Sequence, residues 1–344
     1  MYTIPPKKMV IINILDILKK YSDMDHRLTQ QDIVEILKKE YYMDVDRKTV
    51  KRNLMNLLDL DCGIDYTEIT RKDEKGNESS ICTDWYMMRD FDDSELRLLI
   101  DSLLFSKHIP YSQCKTLIEK LKGLSNVYFD KKVKHICNLP ENQPVNRELF
   151  YTIDVLDDAI SQNKKVAFTY NSYGADKKLH AKRDEEYIVN PYQMVATNGR
   201  YYLICNYDKY DNLANYRVDH ITNIRMLDET AKPIKKLKEG ELNLPKHMAE
   251  HLYMFSGESV KAKFKAKNHI IDQIIDWFGL DAKIEPYNDE ECMVEVKVNK
   301  DAFFYWAMQY GLYIEVTEPV YVRERVIEAI NVIKEKYIGQ ESLK

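Results

Sequence analysis

The spacing of apolar residues changes period several times along this chain, which excludes a fold built from one kind of element. Residues 7 to 21 place Val10, Ile11, Ile14, Leu15, Ile17 and Leu18 at helical spacing. Thr29 is placed to cap a second helix with Ile33, Ile36 and Leu37 on its apolar face. Asp46 starts a third, with Val50, Leu54, Leu57 and Leu58 inside. The period then drops to two: β-prone runs at 64–70 and 80–88 flank a turn at Glu74-Lys75-Gly76-Asn77. Helical spacing returns from Phe91 to about Leu139, where Leu96, Leu99, Ile100, Leu103 and Leu104 form a stripe dense enough to pack against a partner.

A further helix over 148–162 leads into short alternating strands at 165–170, 186–189, 192–197, 200–207 and 215–218. With Asn198-Gly199 as a two-residue turn, they fit a small β-barrel. Residues 229–257 are rich in Lys, Pro and Gly and form a connector. From 259 to 337 the order is βαββαβα, which predicts a ferredoxin-like sandwich. The expected fold is therefore α+β and multidomain: a helical-plus-hairpin domain at 1–90, a helical linker and dimerisation region at 91–147, a barrel at 148–228, the connector, and a C-terminal domain at 258–344. A chain of 344 residues is long enough for each core to form without staples.

The formal charge of -5 excludes a protein that coats nucleic acid over its whole surface, so any DNA-binding face must be local. Cys62, Cys82, Cys114, Cys137, Cys205 and Cys292 are scattered singly, without metal-knuckle or disulfide spacing. The first residues lead into an amphipathic pattern, and no run of about 18 apolar residues follows. The expectation is a soluble, cytoplasmic protein with no membrane partner and no cofactor.

Local charge sits in the third helix. Residues 46–53 read Asp-Arg-Lys-Thr-Val-Lys-Arg-Asn, with four cations against one carboxylate, a net of +3. Because Val50 and Leu54 face inward, Arg47, Lys48, Lys51 and Arg52, with Thr49 and Asn53, are free to reach DNA as the donors of a recognition helix. Arg71, Lys72 and Lys75 lie at the hairpin turn, where a wing would follow the backbone of the next groove. The alternative is a solvated charged helix beside a charged turn.

Other motifs point nowhere firm. His247-Met-Ala-Glu-His251 matches HxxEH, an inverted zinc-protease pattern, but lies in the connector without an obvious third ligand. GxSxG, Walker-type and GxGxxG patterns are missing from the sequence, so no enzymatic activity is expected. Trp306, Tyr310 and Tyr313 are spaced either as core or as an aromatic surface for a base or partner.

The stretch Arg200-Tyr-Tyr-Leu-Ile-Cys-Asn-Tyr-Asp208, followed by Asn215-Tyr-Arg-Val-Asp-His-Ile221, resembles the WYL-domain regulators, with Tyr201-Tyr202-Leu203 at the tripeptide that names them. Tyr187-Ile-Val-Asn-Pro-Tyr192 and Phe168-Thr-Tyr170 resemble the strands that precede it. The N-terminus is similar to a DeoR-type winged helix, and residues 304–319 to the C-terminal extension of such proteins. Tyr201 stands where the family name has Trp, and His220 where many members have a second Arg.

The resemblance implies a winged helix-turn-helix, a helical linker, an Sm- or SH3-like barrel and a ferredoxin-like C-terminal domain. It also implies a homodimer on double-stranded operator DNA whose barrel senses a single-stranded nucleic acid or nucleotide. The candidate ligand residues are Tyr170, Tyr187, Arg200, Tyr201, Arg217, Asp219 and His220. By chemistry Arg217 leads, since a guanidinium grips phosphate and stacks on bases. On one alternating strand Arg217 and Asp219 share a face, so a salt bridge that only closes the barrel is the competing role. A single-stranded nucleic-acid-binding accessory module of another machine is the alternative function.

Overall fold

The computed structural model describes residues 7–72, 78–106, 108–133, 146–237 and 241–338. It divides into two compact units, Met1–Gln143 and Pro144–Lys344. Among the described residues no helix is long and apolar enough to cross a membrane.

In the first unit, α1 (Val10–Tyr21), α2 (Gln30–Glu40) and α3 (Arg47–Asp59) precede an antiparallel hairpin of β1 (Ile64–Lys72) and β2 (Glu78–Met87). The boundaries follow local chemistry. Thr29 and Asp32 close a capping box, each side chain accepting from the other's backbone N–H, and Asp46 accepts from the Thr49 N–H to start α3. Ile14, Ile17 and Leu18 of α1 meet Ile33 and Leu37 of α2, Val50 and Leu54 of α3, and Trp85 of β2 in one fully buried core.

Among the described residues of this unit three more helices follow: α4 (Asp93–Phe105), α5 (Tyr111–Lys122) and the single turn α6 (Phe129–Lys132). Leu96 and Ile100 of α4 pack on Cys114, Ile118 and Phe129, while Leu98 and Phe105 are left 69% and 68% exposed. Arg89 clasps these helices to the first three. Its guanidinium donates to the carbonyls of Lys19, of Ser22 at 2.9 Å and of Ser125 at 3.3 Å. Asn126 donates to Asp23 at 2.6 Å, and His26 stacks on Tyr128 with centroids 3.6 Å apart.

The second unit opens with α7 (Leu149–Ser161), which packs on a curled sheet. The strands are β3 (Lys164–Tyr173), β4 (Leu179–Ala181), β5 (Tyr187–Thr197), β6 (Arg200–Asn206), β7 (Ala214–Arg217) and β8 (Ile221–Thr230). Their order is β4-β3-β5-β6-β7, with β8 paired along β3. The sheet is a half-barrel, since a 3-10 turn, Val218–His220, joins β7 to β8 where closure would need a ladder. Asn198 and Gly199 hold φ of +52° and +72°, the left-handed pair that a two-residue hairpin turn requires.

Two expected strands, 186–189 and 192–197, are one strand, β5, with its register shifted at Pro191/Gln193 where proline offers no N–H. Strands β4 and β8 have no counterpart among the sequence expectations. In β8 only Ile221 and Ile224 are buried, three apart, and the pairing with β3 is irregular, so no period of two marks it.

Residues 229–257, expected as a connector, do more than connect. They hold α8 (Leu244–Glu250), and Leu252 packs into the C-terminal core while Met254 packs against Val195, Tyr202 and Ile204 of the barrel sheet. Between those anchors Tyr253 and Met254 adopt φ of +57° and +56°. Beyond lie β9 (Ser259–Lys267), α9 (Ile271–Phe278), β10 (Lys283–Pro286), β11 (Glu291–Asn299), α10 (Lys300–Gln309), β12 (Ile314–Glu318) and α11 (Val320–Ile338). Sheet order β10-β11-β9-β12, antiparallel throughout, is that of a split βαβ sandwich. Trp306 is fully buried and Tyr310 packs on this core, whereas Tyr313 stays exposed, which decides most of the aromatic question in favour of packing.

Candidate nucleic-acid interface and ligand site

On α3, burial of Val50, Leu54 and Leu57 turns Arg47, Lys48, Lys51 and Arg52 to solvent. Among the described residues none of these four makes an ion pair, and Arg47 donates only to the neutral amide of Gln30 at 3.1 Å. Thr49 and Asn53 are half-buried and engaged within the helix: the Thr49 hydroxyl donates to Asp46 at 2.8 Å and the Asn53 amide to the Thr49 carbonyl at 2.8 Å. Their donors are therefore less available than the sequence suggests. Arg71 and Lys72 end strand β1, with side chains outside the described part of the structure, and Lys75 lies outside the described residues altogether.

A second cationic row has the opposite character. Lys261, Lys263, Lys265 and Lys267 line one face of β9, but each faces a glutamate, at 2.7 Å from Glu295, 3.3 Å from Glu318, 3.5 Å from Glu315 and 3.2 Å from Glu291. A phosphate backbone would have to displace those carboxylates one by one, whereas on α3 it displaces only counterions.

The ligand candidates converge around Asp219. This carboxylate is 8% exposed and accepts from Arg217 Nε at 3.0 Å and Nη2 at 2.6 Å, and from Arg200 Nη1 at 3.2 Å. Burial alone would raise its pKa, but the bidentate Arg217 holds it below the ordinary carboxylate range. Arg217 ends β7 and Asp219 lies in the 3-10 turn, so the turn, not strand alternation, brings them together. The salt bridge is thus present, yet it does not exhaust the cations: the Arg217 and Arg200 side chains remain 26% and 28% exposed, and the trio carries a net +1.

Aromatic rings surround this trio. Tyr170 is buried and its hydroxyl accepts the Arg217 N–H at 3.3 Å, while Lys182 Nζ sits 5.1 Å from its ring centroid. Tyr187 stacks with Phe168 at 5.7 Å and carries the Arg183 guanidinium 3.6 Å from its centroid. Both of these candidate ligand rings already have partners. Tyr201 is half-buried. Sequence reasoning missed Tyr216, 4.7 Å from Tyr170, and Tyr207, whose hydroxyl meets that of Tyr216 at 2.7 Å. The available signals were their place inside the stretches 200–208 and 215–221 that carry the resemblance, and the excess of 25 tyrosines over 10 glycines.

His220 brings no charge to the site. Burial, reinforced by Arg217, pushes its pKa down, and Nδ1–H donates to the Asn171 carbonyl at 2.9 Å. Nε2 is buried without a partner among the described residues. A neutral ring therefore stands where the resemblance led one to expect a second arginine.

His247 and His251 lie at the end of α8 with rings stacked at 4.0 Å, but their nitrogens serve the fold: Nε2 of His247 donates to Asn215 at 3.2 Å and Nδ1 of His251 to the His247 carbonyl at 2.9 Å. Among the described residues no group of three or more His, Cys, Asp or Glu is arranged to hold a metal. Burial lowers the His247 pKa to about 4. Between that value and the unfolded value of about 6.5, the unfolded chain takes up a proton that the fold refuses, so stability is full above this window and is lost as pH falls through it. Urea unfolding across that range should show the decline, and His247→Gln should flatten it.

With this geometry in place, comparison with known proteins assigns two segments. A WYL domain model matches residues 151–226 and a WCX domain model matches residues 257–332, so the chain is a WYL-domain protein with a WCX domain after it. No curated protein matches the sequence. Among solved structures, the proteasome accessory factor B/C (PafBC) of Arthrobacter aurescens is similar at 13% identity, with a TM-score of 0.30 over 94% of this chain and 48% of that one. The chain thus spans about half the length of PafBC. A structure described as a CRISPR Cas-related protein is similar at 13% identity, with a TM-score of 0.38 over 97% of this chain and 84% of that one.

Proposed function

We propose that this WYL-domain protein is a cytoplasmic, ligand-responsive transcriptional regulator that reads duplex DNA as a homodimer and works by binding, with no catalytic step. The observation that carries the proposal is the row of four exposed cations on α3, without an ion pair among the described residues, set on the outer face of a three-helix and hairpin domain. That order, with α3 as recognition helix and β1–β2 as wing, is the one in which a helix enters the major groove and a hairpin tracks the backbone. Two copies would supply the two half-sites of an operator, and the exposed Leu98 and Phe105 of α4 offer apolar surface for such pairing.

The sensing site is the Arg200–Asp219–Arg217 trio. A net +1 beside tyrosine rings suits a nucleotide or the end of a single strand better than a long polyanion. Ligand binding would act by population shift, favouring one dimer geometry over another.

Duplex binding of the Arg47→Ala, Arg52→Ala double variant across a salt series tests the reading. Loss of two phosphate contacts should weaken affinity by about tenfold to a hundredfold and reduce the salt slope by about 1.8. If affinity and slope both stay put while single strands bind tightly, the protein is a single-strand accessory module and α3 is not its reader.

A further inference from the structure

Nine non-glycine residues among those described have positive φ: Tyr42, Asp61, Asp84, Asn163, Lys177, Asn198, Asn223, Tyr253 and Met254. Asn and Asp tolerate this region because their short polar side chains bond locally, and Lys177 sits in a surface turn. Tyr253 and Met254 are held from outside, by a hydrogen bond from the Tyr253 hydroxyl to Gln309 at 3.0 Å and by burial of Met254. Tyr42 is different. It has φ +54°, is 83% exposed, and makes no side-chain hydrogen bond or ring contact among the described residues.

The backbone needs a left-handed residue there. Tyr41 caps α2, and the chain must reverse so that Met43 can be buried and return its N–H to the Leu37 carbonyl at 3.1 Å. Glycine is the residue such a helix end favours, since a Cβ in this conformation crowds the carbonyl. An exposed ring that strains the backbone and contributes nothing to packing marks a position whose role lies outside the fold. Its place gives the partner: four residues later Asp46 caps α3, whose first turns carry Arg47, Lys48, Lys51 and Arg52. Tyr42 opens the short turn that leads into α3, and the approach to a helix that enters the major groove by its N-terminal end passes the groove rim, beside sugar and phosphate.

We propose that Tyr42 is a DNA backbone contact, its phenol donating to a phosphate oxygen at the rim of the groove and its ring lying against the adjoining sugar. Tyrosine is among the side chains that make such contacts, and it positions the reader without reading bases. The inference rests on α3 being the duplex reader.

The test uses the full chain, thermal unfolding without DNA, and anisotropy with a random-sequence duplex of about 30 base pairs between roughly 50 and 200 mM salt. Tyr42→Gly should raise Tm by about 2–5 °C through relief of strain, yet weaken duplex binding about fivefold to tenfold. Its salt slope should match wild type, because a neutral phenol displaces no counterion, whereas Lys48→Ala should lower the slope by about 0.9. Tyr42→Phe should leave Tm unchanged and lose part of the affinity. If wild type binds duplex and Tyr42→Gly binds equally well, this inference is overturned and α3 keeps its role. If wild type binds no duplex at any salt, the reading beneath it fails and Tyr42 falls with it. A Tm that does not rise in Tyr42→Gly removes the strain premise and overturns the inference as well.

Discussion

Asp219→Asn is expected to destabilise the fold and, at the same time, to tighten binding of a nucleoside triphosphate. The carboxylate is 8% exposed and neutralises one of two guanidiniums that converge on it. Removing the partner of a buried charge costs about 3–5 kcal/mol, and because both arginines keep about a quarter of their surface in water, about 2–4 kcal/mol is the expectation here. Local charge rises from +1 to +2, which should strengthen triphosphate binding about fivefold to tenfold, or roughly 1 kcal/mol. Chemical unfolding and calorimetric titration read the two effects separately.

The two candidate roles of the pair predict different combinations. Stability lost without any gain in anion affinity would mean that Arg217 and Arg200 only brace the turn. The pH dependence gives a further check. The Asp219 pKa is depressed in the fold, so its contribution is present above the unfolded value of about 3.9 and is lost as pH falls through the folded value. The gap between wild type and Asp219→Asn should therefore narrow below about pH 4.

How much of this was legible in the sequence depends on whether the signal was local. Thr29 and Asp46 announced the starts of α2 and α3 because a cap is a bond between residues three apart. Asn198-Gly199 announced its hairpin for the same reason. The role of Arg89 was invisible, since its partners are carbonyls as far away as Lys19 and Ser125, which any residue supplies. Strand β8 was invisible because its bulged register erased the alternation. At the ligand site the sequence identified Arg217 and Asp219 as a pair but not Arg200 as their third member. It named Tyr170 and Tyr187 as ligand candidates, whereas Lys182 and Arg183 cover their rings from a segment whose placement no periodicity foretells.

Trp306→Ala separates packing from recognition in the WCX domain. The ring is fully buried, with centroids of Phe278 at 4.7 Å, Tyr310 at 4.9 Å and Phe264 at 5.2 Å. Truncating a buried tryptophan to alanine costs about 3–5 kcal/mol, from lost transfer energy and the cavity left behind. One term opposes this. The indole N–H is buried without a hydrogen-bond partner among the described residues, and such a group costs about 1–3 kcal/mol, which alanine removes. The net loss should therefore fall near the lower bound, about 3 kcal/mol, seen as a reduced midpoint in urea. Trp306→Phe isolates the two terms: it keeps most of the aromatic packing and deletes the orphan N–H, so its stability should lie within about 1 kcal/mol of wild type. Neither variant should alter duplex affinity under conditions where both are folded. If Trp306→Ala left stability intact and abolished ligand or DNA binding instead, the indole would be a recognition surface and the packing assignment of this helix would be wrong.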